Sequence, residues 1–218
     1  MNEAAALLTQ SKLGSPLDLL LSFFALALVP VLAVTTTSFT RIIVVLGLLR
    51  ASLGTSSLPP NAVLVALALM LTGAVMTPTL QRVDREALAP YLAHHLSARG
   101  AVEAGAAPLR GFMARQARIS DVRAFARIAK VRPATLGEVP FFVLAPAFLI
   151  GELRAAFAMG FALALPFAVI DILVATALMS LGMFMVPPGT IALPLKLLLF
   201  VIADGWALVV GALVSSYR

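Results

Sequence analysis

The chain has 218 residues, 61% of them hydrophobic and 12% charged, against roughly 45–50% apolar and about 25% charged in soluble domains; mean hydropathy is +1.03. A self-contained soluble globule is excluded, because too few polar residues remain to cover it, so the chain must meet lipid or other chains over much of its area. Cysteine is absent, which removes disulfides, thiolate catalysis and cysteine-ligated metal sites. The formal charge of +6 is unevenly spread. Ten of the sixteen Lys and Arg, and five of the ten acids, lie between Gln81 and Glu138. The excess charge therefore belongs mainly to one polar insert.

Four regions follow in chain order: an N-terminal tail over 1–16, apolar helices over 17–78, a polar helical insert over 79–139, and apolar helical hairpins over 140–218. The N-terminus does not read as a secretory signal, since Glu3 is acidic and Asp18 interrupts the start of the apolar run. Residues 17–34 are long enough for a membrane-type helix at ~20 residues per span. The run Thr35-Thr36-Thr37-Ser38-Phe39-Thr40-Arg41 can bond back to its own backbone, which suits a turn or a helix start. Residues 42–53 form an apolar segment framed by Arg41 and Arg50, with Gly54 as its stop. Pro59-Pro60 breaks the chain, and residues 61–76 predict a helix closed by Pro78.

Within the insert, Val122, Phe125, Ala126 and Ala129 recur at helical spacing, which predicts a surface helix over 120–131 with one apolar face. Residues 141–186 are almost wholly apolar. A straight helix of that length would reach ~69 Å at 1.5 Å per residue, twice the ~30 Å hydrocarbon core, so it must kink, turn back or project. Pro187-Pro188-Gly189 is a turn signal. Residues 191–214 form the last apolar helix, with Trp206 and Tyr217 as interfacial anchors.

Five charges interrupt the C-terminal apolar region: Glu152, Arg154, Asp171, Lys196 and Asp204. Each costs on the order of 2.5–3.5 kcal/mol at the centre of a lipid-facing helix, so they should face protein or water. Structural ion pairing is the plainest reading, with a proton or ion relay and snorkelling at helix ends as alternatives. Asp171 and Lys196 flank the proline turn and come within reach if residues 168–180 and 194–209 pair as a hairpin. Glu152 and Arg154 point different ways on one helix and need partners elsewhere.

Met183-Phe184-Met185 precedes Pro187. Flexible apolar side chains there are either packing filler or, contributed by several subunits, a seal that yields to a passing chain. Small residues such as Ala155, Ala156 and Gly160 allow close helix approach. His94 and His95 are adjacent and do not share a helix face, so no metal site is expected. There is no nucleophile–base pair, phosphate loop or nucleic-acid motif, so neither an enzyme nor a nucleic-acid binder is expected, and no cofactor.

Several blocks together resemble a known family. They are Thr37-Ser38-Phe39-Thr40-Arg41-Ile42, Gly47-Leu48-Leu49-Arg50, Pro59-Pro60-Asn61, Pro108-Leu109-Arg110, Pro146-Ala147-Phe148, Glu152-Leu153, Leu165-Pro166-Phe167, Ile170-Asp171, Leu193-Pro194, Lys196-Leu197-Leu198-Leu199-Phe200 and Asp204-Gly205-Trp206. Over roughly 16–218 the chain is similar to the FliP family of flagellar export-gate proteins, whose injectisome counterpart is the SctR family. The Thr-Ser-Phe-Thr-Arg-Ile block favours the flagellar branch.

The resemblance implies an all-α fold of membrane-associated kinked hairpins assembling into a helical, pore-forming oligomer. It implies a pentamer that joins FliQ-like and FliR-like subunits and other flagellar export apparatus proteins. The assembly would sit at the bacterial inner membrane in the flagellar basal body and pass unfolded flagellar substrates. It places the polar insert on the extracytoplasmic side, where a naive positive-inside count would not. Met183, Phe184 and Met185 match the family's constriction; relatives often have methionine where Phe184 stands. The rival readings are an injectisome gate subunit, a small secondary transporter using Asp171 and Lys196, and a membrane scaffold without a pore.

Overall fold

Apolar runs punctuated by proline and glycine produce helices throughout the computed structural model, which describes residues 16–55, 58–133 and 135–217. No strand occurs among the described residues. The expected tail and the reading of the N-terminus as unlike a signal lie outside them, apart from Pro16 to Asp18. Among the described residues the longer α-helices are α1 (Pro16–Thr36), α2 (Phe39–Leu53), α3 (Asn61–Val83), α4 (Ala98–Gln116), α5 (Ile119–Ile128), α6 (Phe141–Ser180), α7 (Pro188–Ile202) and α8 (Gly205–Ser215). A π-helical turn, Asp84–Leu88, and a short helix, Ala89–Leu92, prolong α3.

The hydroxyl-rich run between α1 and α2 makes an 80° bend. Helix ends leave carbonyls without partners, and here the hydroxyls supply them. Thr36 Oγ1 donates to the Leu32 carbonyl at 2.7 Å, Thr37 Oγ1 to Ala33 at 2.5 Å and Thr40 Oγ1 to Val34 at 2.7 Å. Gly54, at φ 80°, ends α2 as expected. Arg50 spans the following turn, its guanidinium reaching Asn61 Oδ1 and the Pro59 carbonyl.

Pro78 does not end α3. The helix runs on through it, because a proline removes one hydrogen bond but not the packing of the face it sits on. Met76, Thr79 and Ala87 remain buried on that face. The 40 residues of α6 likewise continue through Pro146 and Pro166, giving ~60 Å of helix. The expected single helix over 191–214 is instead two, bent by 64°. Asp204 takes a left-handed conformation at φ 48°, one that Asp tolerates better than most residues. Gly205 follows because a Cβ there would overlap the Phe200 ring.

Two large hydrophobic cores form, and a third, small cluster closes the last hairpin. One joins Ile42, Leu46 and Leu49 of α2 to Leu64 of α3, Ala156 and Phe167 of α6, Phe200 of α7 and Leu213 of α8. The other joins Met76 of α3 to Phe112 and Val122 of the insert and to Val143 and Phe148 at the start of α6. The surface is nevertheless 14163 Å², against about 9,600 Å² for a compact monomer of this mass. Phe157, Phe161, Leu165, Val169 and Leu173 of α6 are all exposed. Among the described residues two helical segments, Asn61–Leu92 and Phe141–Ser180, are long and apolar enough to cross a membrane, and up to four if each bent pair is one span.

Gly160 carries α2 against α6. A Cβ at this position would overlap Leu48, lying 2.9 Å from its Cβ. Gly160→Ala is therefore expected to lower stability by about 1–3 kcal/mol, read as thermal unfolding of the detergent-solubilised protein, with Leu48→Ala in the same chain recovering part of the loss. An unchanged midpoint in the single variant would refute this contact.

Candidate functional site: a buried charge node and an exposed apolar turn

Glu152 lies on α6 between Phe148 of one core and Ala156 of the other, and is fully buried. A lone carboxylate there would be prohibitively costly. Arg41, from the first turn of α2 and 5% exposed, meets it with both nitrogens of its fork. Nε donates to Oε2 at 3.0 Å and Nη2 to Oε1. Arg41 Nη1 also donates to the Ser216 carbonyl at 3.1 Å and to its Oγ at 2.9 Å. The Tyr217 hydroxyl donates to Glu152 Oε2 at 2.5 Å, and its ring lies 3.9 Å from the Arg41 guanidinium carbon. Burial, then the neighbouring carboxylate, push the Tyr217 hydroxyl pKa up, so it stays a donor. Bidentate geometry, a third donor and a stacked ring together satisfy a pair that burial alone would penalise.

Lys196 of α7 is 5% exposed. Its Nζ lies 2.7 Å from Asp171 Oδ2 on α6 and donates to the Ser52 carbonyl at the end of α2 at 3.0 Å. A cation at a helix C-terminus also meets the negative end of the helix dipole. One ammonium thus ties three helices together. Arg154 pairs outward with Asp121 of α5 at 3.1 Å, which fixes the insert to α6.

Of the five charges singled out in the sequence, only Asp171 and Lys196 pair with one another. Glu152 and Arg154 find Arg41 and Asp121, which lie outside that set. Asp204 enters no ion pair among the described residues; it is exposed and turns the backbone. Sequence reasoning does not name Arg41, Asp121 or Tyr217 as partners. Tyr217, expected as an interfacial anchor, is half-buried in the node. The signal for Arg41 is its place beside the apolar run of α2, where a buried arginine needs an acid.

Met183, Phe184 and Met185 occupy the turn between α6 and α7. Gly182, at φ 73°, closes α6: the Met183 N–H bonds the Leu178 carbonyl and the Gly182 N–H that of Met179, a Schellman ending that needs a residue tolerant of positive φ. Pro188 then starts α7. Below the turn, Val174, Leu178 and Ala192 close the hairpin. The turn itself is bare, Phe184 at 78% and Met185 at 95% exposure.

The Asp171–Lys196 pair is asymmetric: the lysine is buried and the aspartate half exposed. Removing the aspartate leaves a buried cation, whereas removing the lysine leaves a carboxylate that water can reach. Asp171→Ala should therefore destabilise more than Lys196→Met in thermal unfolding. Exchanging the two residues should rescue only partly, because a carboxylate at position 196 would face the Ser52 carbonyl. Equal losses, or full rescue, would contradict this geometry.

Comparison with known proteins completes the site's context. Residues 22–213 match the FliP family. The Flagellar biosynthetic protein FliP of Caulobacter vibrioides is 47% identical over 194 residues, covering 88% of this chain and 73% of that protein. The protein of the same name in Pectobacterium carotovorum is 50% identical over 195 residues, covering 88% and 75%. That of Bacillus subtilis is 41% identical over 221 residues and covers 100% of both chains. With matches of this extent running through the node, the hairpin and the Met183 turn alike, the chain belongs to the FliP family.

Proposed function

We propose that this chain is a core subunit of the flagellar type III protein export gate, lining and gating a channel for unfolded flagellar proteins. The reading rests on family membership and on one physical observation: an apolar turn left bare at the tip of an apolar hairpin. Burial of apolar surface is worth about 25 cal/mol per Å², so such a tip finds its partner in lipid or in copies of itself. A closed ring of copies, each contributing the same turn, is the symmetric solution. Flexible methionines suit a seal that must close around nothing and still yield. Phe184 supplies a larger, stiffer plug.

In this proposal the subunits number five, joined by FliQ-like and FliR-like partners at the inner membrane of the basal body, with the insert on the extracytoplasmic side. The role is non-enzymatic. The buried charges serve it by fixing the hairpin that carries the turn, and neither a cofactor nor a metal takes part. The relatives named above are all flagellar, which favours this form over the injectisome one. In the transporter reading Lys196 would have to exchange ions, yet it is held by Asp171 and the Ser52 carbonyl together.

Replacing Met183–Met185 with glycine should raise ion leak through the assembled gate, measured as conductance in planar bilayers or as dissipation of the membrane potential in cells. Wild-type tightness in that variant, with assembly intact, would reject the seal.

A further inference from the structure

The polar insert carries a surface that the gate proposal leaves unused. Over residues 104–138 there are seven basic side chains, Arg110, Arg115, Arg118, Arg123, Arg127, Lys130 and Arg132, and two acids, Asp121 and Glu138. Asp121 is already committed to Arg154. Val122 and Ala126 hold α5 to the second core, which leaves Arg123 and Arg127 on its outer side, both exposed. A Schellman ending then reverses the chain: Val131 N–H bonds the Ala126 carbonyl and Lys130 N–H that of Arg127, with Lys130 at φ 54°. The reversal lays Arg132 and Pro133 beside the helix and opens a groove of about 690 Å³ between them. Ile119, Val122, Ala126 and Val139 line its floor, Arg123, Arg127 and Arg132 its rim. No acid, Glu138 included, is among its lining residues.

We propose that this groove docks an acidic amphipathic helix of another protein, its apolar stripe on the floor and its carboxylates on the three arginines. Charge complementarity selects the occupant. Arg is the side chain best suited to bidentate carboxylate contact, and an apolar channel between cationic rims fits a helix laid in a groove. A second copy does not fit. The one close acid pair of this chain, Asp84 and Glu86, alternates with Arg82 and Arg85.

The test uses the full chain in nanodiscs of zwitterionic lipid and a fluorescent 18-residue peptide of leucine and glutamate with one apolar face, read by anisotropy. The peptide should bind, at least tenfold more tightly than its scrambled isomer, and Arg123→Glu with Arg127→Glu and Arg132→Glu should weaken it at least tenfold. Arg→Gln at the same positions should give an intermediate loss, and circular dichroism should report unchanged helix content. Equal affinity for the scrambled isomer, or for the triple variant, would overturn the proposal. So would tighter binding of a single-stranded oligonucleotide of equal charge, or loss of peptide binding in nanodiscs of anionic lipid, which would make the groove a phosphate or membrane surface. None of these outcomes bears on the leak through the Met183 turn.

Discussion

Arg41 and Glu152 form the contact on which the other packing depends. They are 111 positions apart and sit where the two cores meet. A buried pair of this kind is a poor source of net stability, since desolvation consumes most of the Coulombic gain. Its consequence is positional. Once Glu152 is inside, Arg41 must reach it, Tyr217 must donate to it and Ser216 must accept from the arginine. Helix α2, the middle of α6 and the C-terminal segment are thereby fixed against one another at one height. Lys196 adds a second fixed point further down α6, tying α7 to Asp171 and to the end of α2. Between these points the apolar faces have little choice of register.

This arrangement explains how so apolar a chain presents a defined surface. Helix α6 buries Glu152, Ala156, Gly160 and Phe167 along one side, and leaves Phe157, Phe161, Leu165 and Val169 bare on another. Hydrophobic contact is non-directional and would tolerate slippage. Charged hydrogen bonds are directional and do not. The molecule therefore uses few polar groups, and places them where they set the geometry that the apolar residues then fill. The same division holds at the Met183 turn, where Gly182 and Pro188 dictate the backbone and the side chains remain free to deform.

Much of the architecture is legible in the residues themselves. Gly54 and the Pro187-Pro188 turn mark real boundaries, and the spacing of Val122 and Ala126 identifies α5. Asp171 and Lys196 can be set opposite one another because a proline turn fixes the hairpin between them. Two boundaries differ from the sequence reading for the same reason, tertiary packing. Pro78 is a local breaker overridden by the burial of Met76, Thr79 and Ala87. Ala203-Asp204, with no strong breaker before Gly205, is a break imposed by the close approach of Phe200. Partners across long separations leave no local trace: nothing near Glu152 names Arg41, and nothing near Arg154 names Asp121.

We propose that the buried pair sets the hairpin geometry on which assembly depends. Native mass spectrometry of the purified protein, with Arg41→Met, Glu152→Leu and the double variant, measures this directly. The wild type should appear as a fivefold species. Either single variant, which leaves one charge buried without its partner, should lose most of it, and the double variant should recover more than half. A stable wild-type monomer, or single variants that assemble as well as the wild type, would contradict the claim.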